Sequence, residues 1–214
     1  VPDVVTSGRR TVAVRAPSHP VARTLLDLVG EPIAAPSANR FSYVSHTTAD
    51  HVAADLGDAI DVLVDGGATP VGIESTIVGV DGSRLILLRP GSVVVEGAVR
   101  AVEVAPSVAP GRLELHYSPS SPTAALPAGS VLIVDGDGVV VGYDDSAPAP
   151  AGWRQVSLGD RGDLSAVASS LYRVLREVDA ERPRRIVVEF TGLPGLGEAI
   201  DDRIRRAAGG QMAT

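Results

Sequence analysis

The 214-residue chain contains no cysteine, no lysine and a single methionine. Without cysteine there are no disulfides, no thiolate nucleophile and no cysteine-ligated zinc, which fits a cytoplasmic protein. Apart from four histidines, every basic side chain is arginine, as a compositional bias of the genome would produce. Aromatic residues are only 3%, so any core must rest on Val, Ile, Leu and Ala. No apolar run approaches the roughly 20 residues needed to span a membrane, and no signal peptide is visible. The formal charge of −7 argues against a nucleic-acid coat or a polybasic membrane anchor, while leaving a local basic patch open.

Ordinary catalytic signatures are missing too. There is no Ser-His-Asp set and no pair of carboxylates at useful spacing. His46 and His51 lack a further ligand pair, and His19 and His116 have no metal-ligand spacing. Asp135-Gly136-Asp137-Gly138 lacks the rest of a calcium loop and reads as a turn. The glycine loop over 192–197 is neither G-x-G-x-x-G nor a phosphate loop ending in lysine, so it reads as structural.

What is present is a 44% hydrophobic composition, enough for a core, at a length that suits one large domain or two small ones. The pattern predicts strands over 11–15 and 33–35 and a helix over 20–29, with Pro20 at its start and Gly30 as its stop. It further predicts a helix from Thr47 to about Leu56, a strand over 58–65, and a hairpin of 75–80 with 84–88 across Asp81-Gly82. From Pro106 to about 128 prolines punctuate a stretch with little periodicity, which reads as a linker. Beyond it, 131–134 and 139–143 read as a hairpin across the Asp-Gly repeat. A long helix carries Leu164, Val167, Leu171, Val174, Leu175 and Val178 on one stripe. A strand over 186–190 and a helix over 198–208 close the chain. The division is therefore 1–105, a linker at 106–128, and a small α/β domain at 129–214.

Small polar residues beside glycines and arginines carry the chemistry. Ser37 and Asn39 follow a proline and can either donate to phosphate or make an Asx turn. Ser45 lies near a helix start, where free N–H groups favour an anion, although plain capping explains it equally. Gly72 precedes Glu74-Ser75-Thr76. Ser75 suits a substrate carboxylate or amine, and Glu74 suits holding a cation or orienting an arginine; a polar turn is the plainer reading. Arg15 and Arg89 end predicted strands and offer forks for carboxylate or phosphate, or surface ion pairs. Arg203, Arg205 and Arg206 read as a solvated helix face. Such a set points to catalysis by positioning and charge neutralisation.

Six motifs in order resemble the YrdC-like threonylcarbamoyl-AMP synthase family: V-x-x-G-x-x-T-V-A-V-R ending at Arg15, A-P-S-A-N over 35–39, S-x-T-T-A-x-H-V from Ser45, D-G-G over 65–67, G-I-E-S-T-I-V from Gly72, and L-R-P-G over 88–91. H-Y-S-P over 116–119 and G-L-G-x-A-I-x-D-R-x-x-R-A-A from Gly195 resemble its long form. The resemblance implies a YrdC-like twisted mixed sheet with flanking helices, present in part, plus a smaller Rossmann-like α/β C-terminal domain. It implies synthesis of threonylcarbamoyl-AMP and pyrophosphate from L-threonine, bicarbonate and ATP with Mg²⁺. The product would feed the tRNA threonylcarbamoyl transferase machinery; direct tRNA contact stays open. Thr11, Ser37, Asn39, Ser45, Arg89 and Tyr117 would contact ATP, and Arg15, the backbone at Ala35, and Ser75 would contact threonine. A nucleotide- or RNA-binding module without chemistry, and a carbamoyl-adenylate-forming maturation domain, are the alternatives. The family's domain normally begins before Val1, so these 214 residues alone are expected to show little or no activity. Arg40-Phe41, Tyr43-Val44 and His46 depart from the family pattern.

Overall fold

The computed structural model describes residues 1–6, 8–100 and 115–213. These fall into two compact units, Val1–Ala38 and Asn39–Thr214. The first holds α1 (Asp3–Thr6) and α2 (Pro20–Val29). Helix α2 begins on Pro20 and ends at Gly30, whose left-handed conformation lets its N–H reach the Leu26 carbonyl, as its sequence predicts. Residues 11–15 and 33–35 carry no ladder, contrary to expectation. Branched side chains favour extended backbone, but a strand requires a neighbour that pairs with it. None of the described residues of this unit is buried.

In the second unit, α3 (Ala49–Leu56) is capped by Thr48, whose Oγ1 accepts from His51 N at 3.3 Å. The cap is one residue beyond the predicted Thr47, which is buried instead. A 3₁₀ turn at Gly57–Ala59 opens the predicted strand over 58–65, and the rest of that stretch has no ladder. The predicted hairpin forms from β1 (Ile77–Asp81) and β2 (Arg84–Arg89), paired antiparallel, and β3 (Val99–Arg100) adds a short parallel pairing to β2.

A second sheet combines β4 (Thr123–Leu126), β5 (Gly138–Gly142), β6 (Trp153–Ser157) and β7 (Ile186–Glu189) in the order β4-β7-β5-β6, all parallel. Helix α4 (Leu164–Ala180) joins β6 to β7, and α5 (Leu196–Ala207) follows β7. The expected hairpin across Asp135-Gly138 is absent: 131–134 has no ladder, and β5 pairs in parallel with β7 and β6. The continuous apolar run of β5 suits a strand covered on both faces, as parallel sheets require. Residues 101–114, including Pro106, Pro110 and Gly111, lie outside the described residues. The end of the Pro-rich stretch contains β4, which the pattern did not predict.

The architecture is mixed α/β, with one mixed and one parallel sheet. Its largest apolar cluster joins Val167, Leu171 and Leu175 of α4 and Ile200 and Ile204 of α5 to Val44 and Ile73. Burying each such side chain contributes about 1.5–3 kcal/mol. The packing boundary thus falls at Ala38, whereas the change in composition falls near residue 105. No helix among the described residues is long and apolar enough to cross a membrane.

Candidate active site

Hairpin pairing brings two motifs together. Ile77 stands opposite Arg89, so the Glu74-Ser75-Thr76 segment lies beside the end of β2. Arg89 is 6% exposed, and its Nε and Nη2 donate to the Ser75 carbonyl at 3.1 and 2.9 Å. Nη2 also reaches Ser75 Oγ at 3.5 Å. At Gly91 a Cβ would sit 2.2 Å from Thr76 N and 2.7 Å from the Glu74 carbonyl, so only glycine permits this approach. Burial lowers the pKa of Arg89 below the ordinary arginine value, yet a guanidinium stays charged in proteins. The result is a fixed cation beside an exposed Ser75.

Glu74 is the centre of the cluster. Its Oε1 accepts from Ser45 Oγ at 2.7 Å. Its Oε2 accepts from Tyr172 OH of α4 at 2.9 Å and from Arg203 Nε of α5 at 2.8 Å. Arg203 Nη2 donates to the carbonyls of Pro90, at 2.9 Å, and Glu74, at 3.2 Å; Nη1 donates to Asp202 at 3.0 Å. Burial alone would raise the pKa of Glu74. The charge of Arg203 and the bonds from Ser45 and Arg203 outweigh it and hold the carboxyl below its usual range. Burial alone would lower that of Arg203, but Tyr172 and Glu74 beside it raise it. Arg203 is wholly buried, which corrects the reading of it as part of a solvated face, whereas Arg205 is exposed and Arg206 half-buried.

Tyr117 packs into the same region at 1% exposure. Its ring stacks on Tyr172 at 5.6 Å, and the Arg203 guanidinium lies 5.5 Å from the ring centre. Burial, then the charge of Glu74, pushes the phenol pKa up to about 12. The hydroxyl is buried without a hydrogen-bond partner among the described residues. His116 meets the Tyr117 ring edge-on at 4.1 Å, and burial lowers the pKa of its imidazole.

Asn39 spends its amide on the carbonyls of Arg40 and Tyr43, at 2.8 and 3.1 Å, and so organises the following turn. Of the unusual residues there, Tyr43, Val44 and His46 serve packing. Tyr43 OH donates to Asp179 at 2.5 Å, and Asp179 also accepts from the N–H groups of Ser120 and Ser121. His46 Nε2 lies 2.6 Å from Asp55, which also pairs with Arg176 of α4 at 3.1 Å. Val44 is fully buried, and Phe41 is exposed.

Of the residues predicted from sequence, Ser45, Ser75, Arg89 and Tyr117 gather around Glu74 in the second unit. Asn39 lies in the same unit within its own turn. Thr11, Arg15, Ala35 and Ser37 belong to the first unit, where all are exposed. Tyr172 and Arg203 were missed. The signal for Arg203 was legible: it falls on the helical stripe of Ile200, Ile204 and Ala207, the face that must be buried.

A family model described as telomere recombination, that of the Sua5, YciO and YrdC proteins, matches residues 1–91. The model of the threonylcarbamoyl-AMP synthase C-terminal domain matches residues 83–209. The threonylcarbamoyl-AMP synthase of Bacillus subtilis is 35% identical over 228 residues, covering 97% of this chain and 66% of its own length. That of Pyrococcus abyssi is 34% identical over 239 residues, covering 98% and 67%. The crystal structure of P. abyssi Sua5 complexed with L-threonine superposes with a TM-score of 0.83 at 32% identity, over 100% of this chain and 68% of that one. The chain spans about two thirds of the length of these relatives. With both family models matched in order along it, the chain belongs to the threonylcarbamoyl-AMP synthase family.

Proposed function

We propose that the full-length protein is an L-threonylcarbamoyladenylate synthase, converting L-threonine, bicarbonate and ATP to threonylcarbamoyl-AMP and pyrophosphate. The observation that carries this reading is the buried Arg89, forked onto the Ser75 carbonyl, with Tyr117 and the Ser45-bound Glu74 near its charge. In the reaction, bicarbonate condenses with the threonine amine: a C–N bond forms, a bicarbonate C–O bond breaks, and water leaves to give a carbamate. A carbamate oxygen then forms a bond to the α-phosphorus while the bond to departing pyrophosphate breaks. This chemistry asks for little covalent participation by the protein and much charge stabilisation.

Arg89 is the cation for ATP phosphates, with Ser45, its hydroxyl held by Glu74, lining their site and Tyr117 covering the nucleotide. Ser75 takes threonine. By resemblance, Thr11, Ser37 and Asn39 belong to the ATP set, and Arg15 and Ala35 to the threonine set. Among the described residues no group of three His, Asp or Glu could hold a metal ion. Magnesium in this proposal enters with ATP as part of the substrate, ligated by phosphate oxygens and water. The product passes to the tRNA threonylcarbamoyl transferase machinery in the cytoplasm. The test is pyrophosphate release by the full-length protein, with and without each co-substrate. Release requiring both threonine and bicarbonate is expected; release indifferent to threonine would overturn the proposal.

A further inference from the structure

We propose that Arg203 and Tyr172, on the two C-terminal helices, are positioning residues for the synthesis reaction, which they serve by holding Glu74 and the Pro90 carbonyl in place. This inference rests on the synthase reading above. Neither side chain belongs to the substrate-contacting set, and both are among the most deeply buried in the chain.

The connections are short. Arg203 uses a single guanidinium on the Glu74 carboxylate, the Glu74 carbonyl and the Pro90 carbonyl. Pro90 follows Arg89, and Glu74 precedes Ser75. One residue of α5 therefore grips the backbone next to both groups assigned to substrate. The other oxygen of Glu74 receives the Ser45 hydroxyl, and Tyr172 holds the first from α4. A carboxylate occupied from two sides has little freedom, and Ser45 inherits that rigidity. Asp202 in turn braces Arg203 at 3.0 Å and pairs with Arg206 at 3.0 Å. The backbone enforces the same contact at Gly72, where an added Cβ would lie 2.3 Å from the Ala168 carbonyl of α4.

An ordinary surface ion pair would not be built this way. A wholly buried arginine must recover its lost hydration through complete bonding. Here that bonding is spent on the segment carrying Ser75 and on the Arg89 turn. The C-terminal domain thus supplies rigidity to the site; misplacement by about 1 Å can cost a hundredfold in rate.

The test uses the full-length protein and its threonine- and bicarbonate-dependent pyrophosphate release. Arg203→Gln is expected to lower kcat/KM about 10- to 100-fold. Tyr172→Phe, which deletes one hydroxyl, is expected to cost about 3- to 10-fold. Arg161→Gln breaks the pair with Glu189 inside the parallel sheet, at 2.8 Å, and measures what lost stability alone does: a lower Tm with parental kinetics. A double-mutant cycle with Ser45→Ala completes the design. If Arg203 acts through Glu74, the two changes are non-additive in the KM for ATP, whereas a purely structural staple predicts additivity. Parental kcat/KM in a folded Arg203→Gln protein overturns the inference, as does additivity. Where Arg203→Gln does not fold, Tyr172→Phe decides, and parental values there overturn it. Absence of threonine-dependent release in the parent protein refutes the synthase reading, and the inference with it; a variant that matches an active parent refutes the inference alone.

Discussion

Arg203 has no exposed side-chain surface, yet it carries a full charge in a core made largely of Val, Ile and Leu. Such a residue is tolerated only when its partners are as fixed as it is, and Glu74 is the partner that balances it. Glu74→Gln should lower stability at neutral pH by about 1–3 kcal/mol, because the guanidinium loses its charged partner at Nε while keeping Asp202, which it shares with Arg206. Its effect on pH dependence has a definite sign. The folded-state pKa of Glu74 lies below the ordinary value of 4.5, so as pH falls the unfolded chain takes up the proton first. The contribution is complete above about pH 4.5 and is lost as pH drops through the depressed folded value. Chemical denaturation from pH 7 to pH 3 should show a shallower acid decline in Glu74→Gln than in the parent. Parallel declines would mean that this carboxyl is not depressed. At this scale the sequence was half legible. That Glu74 could orient an arginine is one of the readings its motif offers, and Arg203 is the arginine it holds. Which arginine does not follow from the motif, because it lies 129 positions away.

At the scale of elements, local patterns predicted what local forces determine. Helices α2 and α4, the β1–β2 hairpin, and strands β5 and β7 come from periodicity, proline and glycine signals. The misses are all matters of pairing. Residues 11–15, 33–35, 60–65 and 131–134 have strand composition but no ladder, while Thr-Ala-Ala-Leu of β4, weak in β propensity and preceded by prolines, has one. Pairing depends on what the rest of the chain places alongside. The contact of the Gly72 segment with α4 is such a non-local constraint. Gly72 has a φ of +78°, and a Cβ there would also meet Ser169 Cα at 2.5 Å. Gly72→Ala must accept both a left-handed backbone, at about 1–2 kcal/mol, and displacement from the helix. A fall in Tm together with faster amide exchange over 72–76 is expected. An unchanged Tm would show that the segment does not press on α4.

At the scale of the molecule, Asn39–Thr214 is one packing unit although two family models divide it. Val44 and Ile73 share a cluster with Leu171 and Ile200, and the cross-links of Tyr43 to Asp179, Arg176 to Asp55 and Arg203 to Glu74 run between the same two parts. The composition change near residue 105 reports chain stiffness and says nothing of which faces are apolar. The departures at Tyr43, Val44 and His46 acquire a reason here, since they face or brace this junction. Two parts that share a core cannot lose it separately. Leu171→Ala, at a site with no exposure, should cost about 2–5 kcal/mol. The amides of 72–91, distant in sequence, should then lose protection in the same transition as those of α4 and β7. Hydrogen exchange followed through a denaturant titration reads this directly. If 72–91 opened at lower denaturant than the parallel sheet, the C-terminal helices would be a detachable cover, and their grip on Glu74 would be too weak to hold the site.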